Sequence, residues 1–198
     1  MKIAIIPARA GSKRIPKKNI KPFLNVPIIN RTLQKLKKYN FFDQIYISTD
    51  DDEIIDTVQK QFSNVVCIKR PQHLADDYAT TRDVIAHVIE NNLNLDNLDI
   101  IYCIYPCALF IEKHDLKHAF DLLHKNDFKF FIYPVTEFPH PIQRALMLDK
   151  RDRIKFINKD NESKRTQDLD TYFHDTGQFY VATSSLWLNS KNLHSDSI

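Results

Sequence analysis

The stretch KIAIIPARAGSKRIPKKN, Lys2 to Asn19, decides how this chain is read. Its first six residues, Lys2 to Pro7, are a short apolar run rich in β-branched side chains and closed by a proline. Such a run suits a strand covered on both faces, as in a parallel sheet. The polar half that follows has no periodicity and reads as a loop. It holds Gly11, one of 2 glycines in 198 residues, where average usage of about 7% would give roughly fourteen. Glycine this scarce predicts, at Gly11 and at Gly177, backbone geometry that other residues cannot supply. Lys13, Arg14, Lys17, Lys18 and Lys21 meet no acid along this stretch, so it repels itself unless an anion or solvent neutralises it. Amides around Gly11 can approach a phosphate closely, and Arg9 and Lys13 add charge-assisted donors. The loop is not a Walker A motif, which needs GxxxxGK[ST], and it lacks the GxGxxG dinucleotide fingerprint.

Beyond this stretch, apolar residues at Ile28, Ile29, Leu33 and Leu36 predict a helix over Pro27 to Tyr39. Gln44 to Thr49 reads as a second strand, and the acids of DDDEI open a helix running to about Phe62. Asn64 to Ile68 is a third strand, followed by a loop from Arg70 to Thr81 and a helix beginning at Asp83. Asp99 to Tyr105 is a buried strand, Lys113 to His124 a helix, and Phe128 to Val135 and Phe179 to Ala182 are strands. The alternation predicts an α/β fold, three-layer and Rossmann-like, with a mainly parallel sheet. Ligands of such sheets bind beyond the carboxyl ends of the strands, so the loops after Pro7, Ile68 and Tyr105 should open onto one crevice. The pattern changes over Glu137 to Thr171, where periodic apolar residues are few and the run DKRDRIKFINKDNESKR is charged. We read 1–198 as a single domain with an inserted arm over 137–171. Ile142, Leu146, Leu148 and Phe156 of that arm need a surface to bury against, which a second copy of the chain would supply in a homodimer.

The hydrophobic fraction of 43% suffices for a core, and a net charge of +3 does not suggest a nucleic-acid-coating surface. No apolar run reaches the length of a membrane span. Cys67, Cys103 and Cys107 form an odd set without zinc-type spacing, and no hydrophobic leader precedes the first strand, so a reduced cytoplasm is expected. His114 and His118 copy the spacing of HExxH, but Asp115 replaces the glutamate and no third ligand is evident, which favours a solvated helix surface. Cys103 and Cys107 straddle a strand end and a proline and read as buried thiols. Asp50, Asp51 and Asp52 are accounted for by a helix start, and Asp76 and Asp77 by either a nucleotide loop or a polar turn.

The segment PARAGSKRIPKKN resembles the amino-terminal motif of the CMP-nonulosonic acid synthetases, the acylneuraminate cytidylyltransferase family. STDDDEI, RPQHLADDYATT, a strand ending in IYP, PIQRAL and HDTGQFY follow in the family's order, so the resemblance covers nearly all of the chain. IYP, PIQRA and HDTGQFY look closer to pseudaminic acid cytidylyltransferases than to N-acetylneuraminate enzymes, which would show LQP and a Pro-Asn-Gly element. The resemblance implies attack by the anomeric hydroxyl of a nine-carbon 2-keto sugar acid on the α-phosphate of CTP, releasing pyrophosphate, with Mg²⁺ as cofactor. It implies that Arg9, Ser12, Lys13 and Lys18 hold the triphosphate beside Ala8 and Gly11, and that Asn19, Arg70 and Thr81 lie near the cytidine. Tyr105, Gln143, Arg144, Asp175 and Gln178 would meet the sugar, with Arg144 suited to its carboxylate. The chain departs from the family at Cys107-Ala108-Leu109, where Thr, a small residue and Pro are usual. The family's metal-binding Asp-x-Asp follows a further strand, whereas this sequence stops at HSDSI, so no metal ligand is assigned. The alternatives are an N-acetylneuraminate or legionaminate cytidylyltransferase, or a nucleotide-binding remnant without turnover.

Overall fold

The structure, a computed structural model, describes residues 1–198 other than Leu93, Ser195, Asp196 and Ile198. Two compact units are distinguished, 1–134 with 177–198, and 135–176. In chain order the strands of the first unit are β1 (Lys2–Pro7), β2 (Pro22–Phe23), β3 (Val26–Pro27), β4 (Gln44–Thr49), β5 (Val66–Lys69) and β6 (Ile100–Ile104). Its helices are α1 (Ile28–Tyr39), α2 (Asp52–Gln59), α3 (Thr81–Asn92) and α4 (Lys113–Lys125). The second unit contains β7 (Val135–Glu137), β8 (Leu146–Leu148), β9 (Ile154–Phe156) and β10 (Phe173–Asp175), after which β11 (Phe179–Thr183) and α5 (Ser184–Asn189) return to the first.

The main sheet has the order β11-β6-β1-β4-β5, parallel except for β11, which runs antiparallel to β6. Alternation along β1 explains its unbroken apolar run. Ala4 and Ile6 pack into a core with Ile29, Leu33 and Leu36 of α1 and Leu116 and Leu123 of α4. Ile3 and Ile5 pack into a second core with Ile85, Val88 and Ile89 of α3 and Trp187 of α5. Both faces are therefore covered by helices, and each fully buried aliphatic side chain contributes about 1.5–3 kcal/mol. The expected α/β architecture with a mainly parallel sheet is the one observed.

Helix boundaries follow local capping. The Asp51 carboxylate accepts from Glu53 N at 2.9 Å and caps α2, which ends at Gln59 rather than near Phe62. Helix α3 starts at Thr81, two residues earlier than its apolar pattern. Thr80 Oγ1 accepts from Asp83 N at 3.2 Å, and the Asp83 carboxylate accepts from Thr80 N at 3.3 Å, which together form a capping box. The strand expected over Phe128 to Val135 is not formed; only isolated bridges occur, at Phe131 and Ile132. Asp127 and Phe128 take φ of 51° and 58°, so the chain turns sharply out of α4 instead of extending. Ile132 exchanges two hydrogen bonds with Val181, each 2.9 Å, and Pro134 two residues on has no N–H to prolong a ladder.

In the second unit β7 pairs with β10 and β8 with β9, both antiparallel. The β8–β9 turn is built on Asp149, whose carboxylate accepts from Arg151 N at 2.8 Å and Arg153 N at 3.1 Å and pairs with Arg153 and Lys155. Those two backbone donors are the first causes holding Asp149 below the usual carboxylate range. Leu146, Met147, Leu148, Ile154, Ile157 and Phe173 of this unit are exposed.

Trp187 anchors the second core. Its ring is fully buried and edge-on to Phe131 at 5.0 Å, and Nε1 donates to Ile101 O at 3.1 Å. Trp187→Ala should cost about 3–5 kcal/mol, measured by urea unfolding followed by circular dichroism because the chain has 1 tryptophan. A loss below 1 kcal/mol, on the order expected for an exposed substitution, would contradict this packing.

Candidate functional site

Because β1 lies between two parallel partners, the loops leaving β1, β5 and β6 emerge on one side of the sheet. They line one cleft of about 710 Å³. The first loop contributes Arg9, Ser12, Lys13, Arg14, Lys18 and Asn19, the second Arg70, Asp76, Asp77, Thr80 and Thr81, and the third Tyr105 and Pro106. The single crevice expected from the topology is therefore present.

The loop after β1 is tied down through its main chain. Ala8 N donates to Ser48 O and Ala10 N to Asp50 Oδ1, both at 2.9 Å, while Asn19 Nδ2 donates to Arg9 O at 2.9 Å. Asn19 is buried, and its Oδ1 has no hydrogen-bond partner among the described residues, which leaves an acceptor at the cleft wall. The two glycines part company. Gly177 has a φ of 62°, the left-handed region that favours glycine. Gly11 has no such φ, and a Cβ there would meet nothing within 4 Å, so the expectation of special backbone geometry fails at this position. Of the two roles expected of it, close approach of a ligand to the backbone is the one left.

The basic loop is neutralised from a distance. Asp77 pairs with Arg9 at 2.9 Å and also with Lys13, and Glu53 pairs with Lys17 at 2.5 Å. Hydrogen bonds from Lys13 and then Arg9 are the first causes holding the Asp77 carboxyl below its usual range. Arg14 and Lys18 line the cleft with no ion-pair partner among the described residues. Arg70 is only 5% exposed, and burial pushes its guanidinium below the usual arginine range. It donates to Ser48 O at 2.8 Å, Ser48 Oγ at 3.2 Å and Leu74 O at 3.3 Å, all neutral acceptors. A buried cation with no ion-pair partner among the described residues is costly to the fold and adds to the positive potential of the cleft, an effect the Asp50 charge offsets in part. Also lining the cleft, the Thr81 and Tyr105 hydroxyls are hydrogen-bonded to each other at 3.0 Å.

Of the residues singled out in the sequence, Arg9, Ser12, Lys13, Lys18, Asn19, Arg70, Thr81 and Tyr105 are brought together in this cleft. Ala8 is buried in the core beside it, and Gln178 O accepts from Tyr105 N at 3.0 Å. Gln143, Arg144 and Asp175 belong to the second unit. There Gln143 Nε2 donates to Asp170 O at 2.8 Å and Arg144 to Thr166 Oγ1 at 3.3 Å. The pairing of Asp77 with both Arg9 and Lys13 is what sequence reasoning missed; the acidic pair after Arg70 was the available signal. His114 and His118 are exposed on α4, and the described residues contain no group of three or more His, Cys, Asp or Glu placed to hold a metal. The three cysteines are free thiols, and Cys103 is fully buried. No helix among the described residues is long and apolar enough to cross a membrane.

The chain is 37% identical to the pseudaminic acid cytidylyltransferase of Campylobacter jejuni serotype O:2 over 94% of this chain and 80% of that protein. It is 32% identical, over 98% of this chain and 37% of the other, to a Helicobacter pylori protein that combines a pseudaminic acid cytidylyltransferase with a UDP-2,4-diacetamido-2,4,6-trideoxy-β-L-altropyranose hydrolase. Among solved structures it is similar in fold to a CMP:2-keto-3-deoxy-manno-octonic acid synthetase complexed with CTP, with a TM-score of 0.68 and 15% identity over 95% of this chain and 76% of that one. The family model described as cytidylyltransferase matches residues 3–194, which takes in β1 from its second residue, the basic loop and the other four strands of the main sheet. On that match the chain belongs to the cytidylyltransferase family.

Proposed function

We propose that the protein joins CTP and pseudaminic acid to give CMP-pseudaminic acid and pyrophosphate. The observation that carries this reading is the 37% identity to a pseudaminic acid cytidylyltransferase over 94% of the chain. The cleft suits the chemistry. In-line displacement at the α-phosphate forms a bond from the sugar's anomeric oxygen to phosphorus and breaks the bond to the pyrophosphate oxygen. That step asks for positioning and charge neutralisation more than for a covalent nucleophile. Arg9, Lys13 and Lys18 are the proposed triphosphate ligands, with Ser12 beside them. Asn19, Arg70 and Thr81 are proposed for the cytidine, the buried Asn19 Oδ1 being suited to an amine or hydroxyl donor. Gln178, whose carbonyl oxygen accepts from Tyr105 N at 3.0 Å, is proposed for the sugar acid.

Mg²⁺ is the proposed cofactor. A magnesium ion carried by a triphosphate needs only one or two protein carboxylates besides phosphate and water. The cleft offers Asp76, whose Oδ1 accepts from Tyr78 N at 2.9 Å and Ala79 N at 2.8 Å and whose Oδ2 takes no part in either bond and could ligate the ion. The ion would supply further neutralisation of the phosphates. A homodimer and a cytoplasmic location complete the proposal, supported by the exposed apolar side chains of the second unit and by the three free thiols.

Pyrophosphate release should be observed with CTP, Mg²⁺ and pseudaminic acid, and not with legionaminic or N-acetylneuraminic acid. Lys13→Ala should lower that rate on the order of 10²-fold or more. Turnover only with N-acetylneuraminate would sink the pseudaminic assignment, and CTP binding without release from any sugar would identify a remnant. Light scattering at micromolar concentration should give the mass of two chains; the mass of one would remove the dimer.

A further inference from the structure

Both cations closest to the start of the phosphate-binding loop already hold an anion, and it is one the protein carries itself. The Asp77 carboxylate bonds Arg9 Nη1 at 2.9 Å through one oxygen and Lys13 Nζ through the other. Arg9 Nη1 also donates to Asp76 O at 2.7 Å, so the loop after β5 is clasped to the loop after β1 at two points. Asp77 stands 64 and 68 residues along the chain from these partners, so the contact comes from the fold and not from local sequence.

We propose that Asp77 is an affinity-determining residue for the phosphates of the nucleotide, an internal carboxylate that a polyphosphate must displace from Arg9 and Lys13 before it can occupy them. The inference rests on the reading of the cleft as a triphosphate site. Only the fraction of molecules with Arg9 and Lys13 released is competent, so the apparent dissociation constant rises by the inverse of that fraction. The clasp is exposed enough to open. The Asp77 side chain is 41% exposed and Lys13 81%, and pairs of this kind are weak individually. A triphosphate brings several charges against one carboxylate, and Arg14 and Lys18 are free of ion pairs among the described residues to meet it first. A nucleoside without phosphates does not compete with Asp77, and its affinity should be indifferent to that residue. The clasp therefore discriminates by phosphate charge and not by base.

The test is calorimetric titration of the whole protein, in EDTA, with CTP and with cytidine. Asp77→Asn and Asp77→Ser should each bind CTP about three- to tenfold more tightly than the parent, the range two exposed ion pairs supply. Cytidine affinity should be unchanged, and the gain for CTP should shrink in high salt. Unchanged or weaker CTP binding by both variants, with unchanged thermal melting, would overturn the proposal, as would an equal gain for cytidine. The Lys13→Ala variant separates the two layers: if it and the parent bind CTP no better than cytidine, the triphosphate reading itself fails. If Lys13→Ala weakens CTP while the Asp77 variants do not strengthen it, only the displacement fails.

Discussion

Strand β1 is hydrogen-bonded on both edges to parallel strands, and the placement of the cleft depends on that pairing. Parallel strands share one direction, so pairing β1 with β4 and β6 fixes the exit of all three on the same side. Covering both faces then requires apolar residues at every position, which Ile3 to Ile6 provide to two separate cores. The loop after Pro7 is carried to the centre of that side, where Ser48 O and Asp50 Oδ1 hold its first amides. The following loops, from Arg70 and from Tyr105, arrive at the same place for the same reason.

What gathers there is a set of cations in excess of local acids. The fold answers part of this imbalance with carboxylates from elsewhere, Asp77 for Arg9 and Lys13 and Glu53 for Lys17. It leaves Arg14 and Lys18 without such partners among the described residues, and it buries Arg70 among neutral oxygens. Burial of that guanidinium carries a desolvation cost, against which its hydrogen bonds to Ser48 and Leu74 stand.

The sheet was legible because burial on both faces leaves a plain mark, an apolar run closed by a turn, in β1 and β6. Helix α1 was legible from Ile29, Leu33 and Leu36, which fall on one face. The start of α3 was written in Thr80 and Asp83, a capping pair that apolar periodicity alone passes over. Phe128 to Val135 looks like a strand by composition, yet Asp127 and Phe128 take left-handed backbone and donate to His124 O and Leu123 O at the end of α4, a local turn that no glycine marks in the sequence. In the cleft, the cations after β1 stand out as a cluster that meets no acid, whereas of the clasp only the acidic pair Asp76-Asp77 shows, because its partners lie far off in the chain. Residues 135–176 were legible only as a change of character, because their short strands leave Leu146, Leu148 and Ile154 exposed and carry no periodic burial.

Whether the loop after β1 receives the triphosphate of CTP is decided by a crystal structure of the protein grown with CTP. Phosphate oxygens are expected within hydrogen-bond distance of Arg9, Lys13 and Lys18, with the Asp77 carboxylate moved away from Arg9. Phosphates directed away from these three side chains, or CTP seated outside the cleft with the Asp77 pairs intact, would contradict that expectation.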